Sequence, residues 1–169
     1  MNIWERIPAG ENPPELLNAV IEVISGSRDK YEYKSQWEVF VLDRIIPSSV
    51  VFPVEYGFVP QTWYDDGDPL DIMVLSYEPL EVGCVVRVRV VGALIVEDER
   101  GEDPKILSVL VDDARFKGYK DLADIHDHKL KEIQERRRVI RRGHTNATLP
   151  VSPRQSRTKP AGRRNVPLP

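Results

Sequence analysis

The chain has 169 residues, 41% of them hydrophobic and 30% charged, which suits one domain with a sizeable core. Its apolar runs are far shorter than a membrane span and its start lacks a signal-peptide pattern, which predicts a cytoplasmic protein; the single Cys84 excludes a disulfide or thiolate-metal framework. The net charge of −3 hides a division, because residues 136–169 hold nine Arg and one Lys with no acidic residue, leaving 14 basic against 27 acidic groups in residues 1–135. An acidic body of that kind would need metal ions to reverse the local field before it could handle an anionic substrate.

In chain order, Pro8, Gly10, Pro13 and Pro14 make residues 1–18 an irregular lead-in. Strands are expected at Val20 to Ile24, Tyr31 to Lys34 and Trp37 to Leu42, where β-branched and aromatic residues cluster. Pro47, Pro53 and Gly57 punctuate a long connection through Val54 to Pro60. Ile72 to Leu75 reads as a buried strand. Val85 to Val91 alternates, with Arg87 and Arg89 on one face and Val86, Val88 and Val90 on the other. The pattern resumes at Ala93 to Val96 and at Ile106 to Val111. Many short strands between Gly/Pro turns predict a small β-barrel.

The first helical signal comes late. Asp127 can cap a helix through Leu130 and Ile133, with Glu132 and Glu135 facing out. Then Arg136 to Arg142 leads into a Ser/Thr/Pro/Arg mixture with five of the 14 prolines and no Phe, Trp or Tyr. From about residue 143 this composition predicts disorder. The expected division is a barrel domain over 1–135 and a basic tail over 136–169, with no internal repeat.

The chemistry concentrates in Asp65-Asp66-Gly67-Asp68-Pro69-Leu70-Asp71, four carboxylates within seven residues. Such a cluster repels itself unless a cation sits among the carboxylates. Gly67 allows a backbone turn, Pro69 stiffens its exit, and the following strand anchors the loop to a core. Hard oxygen ligands suit Mg²⁺ or Mn²⁺ better than Zn²⁺. The apolar residues after Asp71 exclude an EF-hand. A solvated acidic turn would have the same composition.

Asp98-Glu99-Arg100-Gly101-Glu102-Asp103-Pro104-Lys105 repeats the design at another strand end, and alone would also pass for a charged hairpin tip. Two such loops on one barrel can converge on shared ions, and a pair of metals can clamp both oxygens of an in-line phosphoryl displacement. Phosphate also calls for fixed cations and donors. Lys30 and Arg44 near strand ends and Tyr56 after Glu55 are candidates, although singly each also reads as a surface cation or a core aromatic.

Together these residues resemble the soluble family I inorganic pyrophosphatases. The family signature Asp-x-Asp-Pro-hydrophobic-Asp is matched by Asp66-Gly67-Asp68-Pro69-Leu70-Asp71. Further matches are Pro8-Ala9-Gly10, Ile21-Glu22-Val23, Lys30-Tyr31-Glu32, Asp43-Arg44, Tyr56-Gly57, Arg87, Val91-Gly92 and the Asp98 to Lys105 loop, in continuous register over residues 3–135. The resemblance implies a mainly β fold with flanking helices, built on a five-stranded OB-like barrel. It also implies a homo-hexamer and Mg²⁺-dependent hydrolysis of pyrophosphate. By position it assigns Asp66, Asp71 and Asp103 to a first metal, Asp71 also to a second, and Asp98 with Asp103 to a metal carried by substrate. Glu22 and Glu32 fall in the wider acidic shell. Asp68 becomes the proton acceptor for the attacking water, and Lys30, Arg44, Tyr56 and Lys105 the phosphate contacts.

In that family an amphipathic helix with an aromatic pair follows, then a Tyr-Lys couple on the substrate phosphate. Here the Arg-rich run stands in its place and no Tyr follows Tyr119. The tail reads as an out-of-frame continuation or as an unusual extension. Two other functions fit the same residues. One is a catalytically weakened metal- and phosphate-binding protein. The other is a non-specific polyanion binder acting through the tail, which has basic groups but no aromatic ring for base stacking.

Overall fold

Alternation of apolar side chains closes a barrel here. The computed structural model describes residues 2–64, 67–98 and 101–140, without the side chains of 96–98, 101–102 and 136–140. A short helix α1 (Ile3–Arg6) precedes β1 (Leu16–Val23), β2 (Asp29–Lys34), β3 (Val39–Ile45), β4 (Glu55–Phe58), β5 (Asp71–Leu75), β6 (Val85–Asp98), β7 (Gly101–Leu110) and the helix α2 (Asp127–Ile140). Strands β1-β4-β5-β7-β6 form the closed barrel, and β2 and β3 form a separate hairpin. The mainly β, five-stranded expectation therefore holds.

The core has two parts. Inside the barrel, Leu17, Ala19, Ile21, Val59, Ile72, Val74 and Val88 pack together. Outside it, Met73, Leu75, Leu94, Leu107 and Val109 meet Phe116, Leu122, Ile125 and Ile133. Strand β5 thus sends Ile72 and Val74 inward and Met73 and Leu75 outward, which is why it reads as a continuous apolar run. Full burial of each such side chain contributes roughly 1.5–3 kcal/mol. Helix α2 lies over the outer part through Leu130 and Ile133, as their spacing predicts, and Lys129 Nζ donates to the Pro53 carbonyl at 2.7 Å.

Several local expectations are corrected. Residues 55–58 are not connection but the barrel strand β4, paired with both β1 and β5. Gly57 looked like punctuation, yet a Cβ there would lie 1.8 Å from the Val20 carbonyl oxygen. Its glycine serves close strand approach, not a turn. The lead-in contains α1, whose first turn Asn2 caps by accepting from Trp4 N–H. Trp37 stands in the β2–β3 turn and is 65% exposed. The two segments expected at 85–91 and 93–96 are one strand, β6, interrupted by a bulge between Val90 and Gly92.

The helix α2 crosses the expected boundary at residue 135, and the tail from 141 onward lies outside the described residues. Among the described residues no helix is long and apolar enough to cross a membrane.

Gly57→Ala should cost at least about 3 kcal/mol, the upper range for overpacking, because the clashing atom is backbone and only a shift of β1 from β4 relieves it. Urea unfolding followed by tryptophan emission measures this. A loss below about 1 kcal/mol would show that the two strands have slack.

Candidate active site

Three barrel strands bring the first group of side chains together. Strands β5 and β7 are parallel, with Asp71 directly opposite Lys105. Asp103 precedes Lys105 by two residues, so both point to the same side of β7. Lys105 Nζ lies 2.6 Å from Asp103 Oδ1 and also contacts Asp71 Oδ2. On β4, Tyr56 pairs with Met73, two residues beyond Asp71, and its hydroxyl donates to the same Asp71 oxygen. The Lys105 ammonium also stands 6.0 Å from the centre of the Tyr56 ring. Two carboxylates, a phenol and a nearly buried ammonium thus converge at one end of the barrel.

The loop before β5 completes a cleft lined by Tyr64, Asp68, Pro69, Leu70, Asp71, Asp103 and Pro104. Its base is tied by Thr62, which is buried. The Thr62 hydroxyl donates to the Val59 carbonyl at 2.6 Å and accepts from Leu70 N–H at 3.0 Å. Val59 N–H donates to the Leu70 carbonyl at 2.9 Å. Within the loop, Tyr64 N–H reaches the Asp68 carbonyl at 2.8 Å, and Gly67 N–H the Tyr64 carbonyl at 3.0 Å. Gly67 takes φ +90°, the left-handed turn for which glycine was expected.

A second group sits on the hairpin and β1, and two bulges create it. In β1, Ile21 pairs with Gly57 and Val23 with Tyr56, so Glu22 is the extra residue. In β3, Arg44 pairs with Lys30 and Leu42 with Tyr31, so Asp43 is extra. A bulge re-aims the side chain of its unpaired residue. Asp43 accepts from Arg44 Nε at 2.6 Å and lies 3.6 Å from Lys30 Nζ. Glu32 takes both Lys30, at 2.5 Å, and Lys34, at 2.6 Å. The hydrogen bonds from Lys30 and Lys34 hold the Glu32 pKa below its ordinary value, and that from Arg44 does the same for Asp43.

Glu22 behaves differently. Its carboxylate accepts from Tyr33 N–H at 2.7 Å. Burial nevertheless pushes its pKa from 4.5 up to about 7, against that hydrogen bond; the Glu32 charge adds to the rise and Lys30 and Lys34 oppose it. The site residues expected from sequence therefore fall into two sets. Asp68, Asp71, Asp103, Lys105 and Tyr56 gather at the cleft, and Glu22, Glu32, Lys30 and Arg44 gather beside the hairpin. The two sets adjoin where Glu22 bulges out next to the partner of Tyr56. Asp66 lies outside the described residues, as does the side chain of Asp98, whose backbone ends β6 opposite Gly101.

Comparison with known proteins decides the family. A family model described as inorganic pyrophosphatase matches residues 19–144. The chain belongs to the inorganic pyrophosphatase family. It is 42% identical to the inorganic pyrophosphatase of Haloferax volcanii over 135 residues, covering 80% of this chain and 76% of that protein. It is 47% identical to that of Nostoc over 130 residues, covering 77% and 76%. The crystal structure of inorganic pyrophosphatase from Thermus thermophilus superposes with a TM-score of 0.77 at 44% identity, covering 80% of this chain and 77% of that one.

Membership of the pyrophosphatase family implies a divalent metal cofactor. Among the described residues no three carboxylate, imidazole or thiol groups stand close enough to hold an ion by themselves. The donor set still fits one. The ammonium of Lys105 is a cation held between Asp71 and Asp103, so these two carboxylates already converge on a single positive charge. Their oxygens are hard ligands, as such a metal requires.

Sequence reasoning passed over Thr62 and gave no role to Asp43, although Asp43-Arg44 was one of the family matches, or to Glu55. Glu55 is fully buried inside the barrel, accepting from Ser25 N–H at 2.9 Å and Ser76 Oγ at 2.8 Å. A Glu beside a candidate phosphate ligand was a visible signal. A buried Thr leaves none.

Glu22 makes stability depend on pH. Its folded pKa lies above the unfolded one, so its contribution is fully present below about 4.5 and is lost as pH rises to about 7. The side chain is partly exposed, so solvent reduces the loss to on the order of 1–3 kcal/mol. Glu22→Gln in the presence of a chelator should therefore exceed the parent in stability at pH 8 and match it at pH 4.5. Urea midpoints at both values test this, and equal midpoints at pH 8 would refute the buried-carboxyl account.

Proposed function

We propose that the chain hydrolyses inorganic pyrophosphate to two phosphates, with Mg²⁺ as its metal and Mn²⁺ able to substitute. The observation that carries this reading is the convergence of Asp71 and Asp103 on one cationic centre, beside a cleft that Asp68 also lines. Family membership and the match of residues 19–144 support it. Asp66, Asp71, Asp98 and Asp103 would hold the metals, with Glu22 and Glu32 around them. Bound divalent ions supply charge neutralisation at the phosphoryl oxygens and acidify the attacking water.

The chain's own groups do the rest. The Asp68 carboxylate takes a proton from the water that attacks phosphorus; the bridging P–O bond breaks, and the second phosphate leaves with that electron pair. Lys105 and Tyr56, both engaged with Asp71, would transfer their hydrogen bonds to a phosphate oxygen. Lys30 and Arg44 would do the same from Glu32 and Asp43. Catalysis is then positioning plus electrostatic stabilisation, as is usual for phosphoryl transfer. A homo-hexamer and a cytoplasmic location belong to the same reading, supported by the resemblance over residues 3–135.

One sequence feature favours a weakened enzyme. No Tyr follows Tyr119, so the family's Tyr-Lys contacts with phosphate are missing unless the Arg-rich segment replaces them. Hydrogen bonds to charged groups contribute roughly 1.5–3 kcal/mol each, so losing two could lower catalytic efficiency more than about a hundredfold.

Phosphate release from pyrophosphate should require Mg²⁺ and stop with a chelator; equal release with chelator would sink the proposal. Asp68→Asn should lower turnover by ~10²–10⁴-fold at saturating Mg²⁺. Unchanged turnover would remove Asp68 as the base.

A further inference from the structure

The helix α1 touches both halves of the site without contributing a residue to either. On one side, Ile3 N–H donates to the Tyr33 hydroxyl at 3.0 Å, and Tyr33 N–H holds Glu22. On the other side, the Glu5 carbonyl accepts from Gln61 Nε2 at 2.7 Å, and the Trp4 ring packs on Trp63 with centroids 5.0 Å apart. Gln61 and Trp63 flank Thr62, which ties the base of the acidic loop at Leu70, and the next residue, Tyr64, binds the Asp68 carbonyl.

Two features show that these contacts are not incidental packing. Gln61 adopts φ +55°, a left-handed conformation that a non-glycine residue keeps only when its surroundings over-determine it. Its contact with Glu5, 56 positions away in sequence, is such a surrounding. Trp4 Nε1 is buried and has no hydrogen-bond partner among the described residues. A buried unpaired donor is costly, so this ring is held here by its shape against Trp63 and not by polar satisfaction.

We infer that α1 sets the acidic loop for metal capture, and that Trp4 and Gln61 are positioning residues that act through Trp63, Thr62 and Tyr64. The inference rests on the functional reading above, and deepens it. The loop carries Asp68 to the cleft and leads through Leu70 into Asp71, and like-charged carboxylates do not hold one another in place, so the loop's base has to be fixed from outside. Outer residues that orient metal ligands affect affinity by about 10–100-fold.

The test uses the full chain with Trp37→Phe, so that only Trp4 and Trp63 report by fluorescence. Mn²⁺ binding is measured by calorimetry and by tryptophan emission, alongside the melting temperature in chelator. Trp4→Ala and Gln61→Gly should each raise the Mn²⁺ concentration for half-saturation about tenfold. Trp4→Phe keeps a ring and drops the unpaired donor, so it should stay within about twofold. Gln61→Gly separates positioning from stability. Glycine relieves the left-handed backbone, so the melting temperature should hold or rise while Mn²⁺ affinity falls. A Gln61→Gly protein with parental Mn²⁺ affinity overturns the inference, even if Trp4→Ala fails to fold. If the parent binds Mn²⁺ and all variants match it, the positioning role alone falls. If the parent neither binds Mn²⁺ nor releases phosphate, the functional reading falls and takes this inference with it.

Discussion

The Asp71 carboxylate is shared between the Tyr56 hydroxyl and the Lys105 ammonium, and the rest of the site depends on that sharing. It is possible only because β5 lies between β4 and β7 in the barrel. An antiparallel neighbour on one edge delivers Tyr56 diagonally. A parallel neighbour on the other delivers Lys105 directly opposite, and Asp103 two residues earlier. Ser108 secures the parallel edge further along, its buried hydroxyl donating to the Met73 carbonyl at 3.0 Å. The strand order β4-β5-β7 is thus what turns three sequence-distant polar residues into one cluster in a partly dry environment, where their interactions are stronger than in water.

Bulges extend the same logic to residues that regular pleating would misplace. An unbroken β1 would keep Glu22 in the ladder facing β4. The extra residue at that point pushes its carboxylate toward the hairpin lysines instead. The β3 bulge makes Lys30 and Arg44 register partners and leaves Asp43 as the extra residue, with its carboxylate near both cations. The hairpin thereby carries its candidate phosphate-binding cations already paired with carboxylates. An anionic substrate would compete for them, and the net acidity of residues 1–135 makes bound cations the natural way to admit it.

The acidic loop shows how a repulsive segment is kept in place. Its carboxylates add no stability to one another, so its geometry is carried by neutral groups: the Thr62 hydroxyl, the paired backbones of Val59 and Leu70, and the left-handed Gly67. Stability and function are divided between neighbouring residues here. Thr62 and Val59, which fix the backbone at the loop's base, are buried, and Asp68 is exposed at the cleft.

The sequence by itself determined the chemistry and the class of fold. Asp66-Gly67-Asp68-Pro69-Leu70-Asp71 and Asp98 to Lys105 stood out as a pair, since either loop alone would pass for a solvated turn or a charged hairpin tip. The strands were legible because alternation at Val85 to Val91 and a continuous apolar run at Ile72 to Leu75 report one-sided and two-sided burial. Strand β4 was misread since Gly57 and its prolines resemble a turn, and only the approach of β1 to within a missing methyl group shows why glycine stands there. Tertiary structure alone decided the parallel pairing of β5 with β7, the two bulges, the Thr62 tie and the clasp of α1 on Gln61. These depend on which strand lies beside which, across separations of 34 residues for Asp71 and Lys105 and 56 for Glu5 and Gln61, and no local propensity encodes such neighbours.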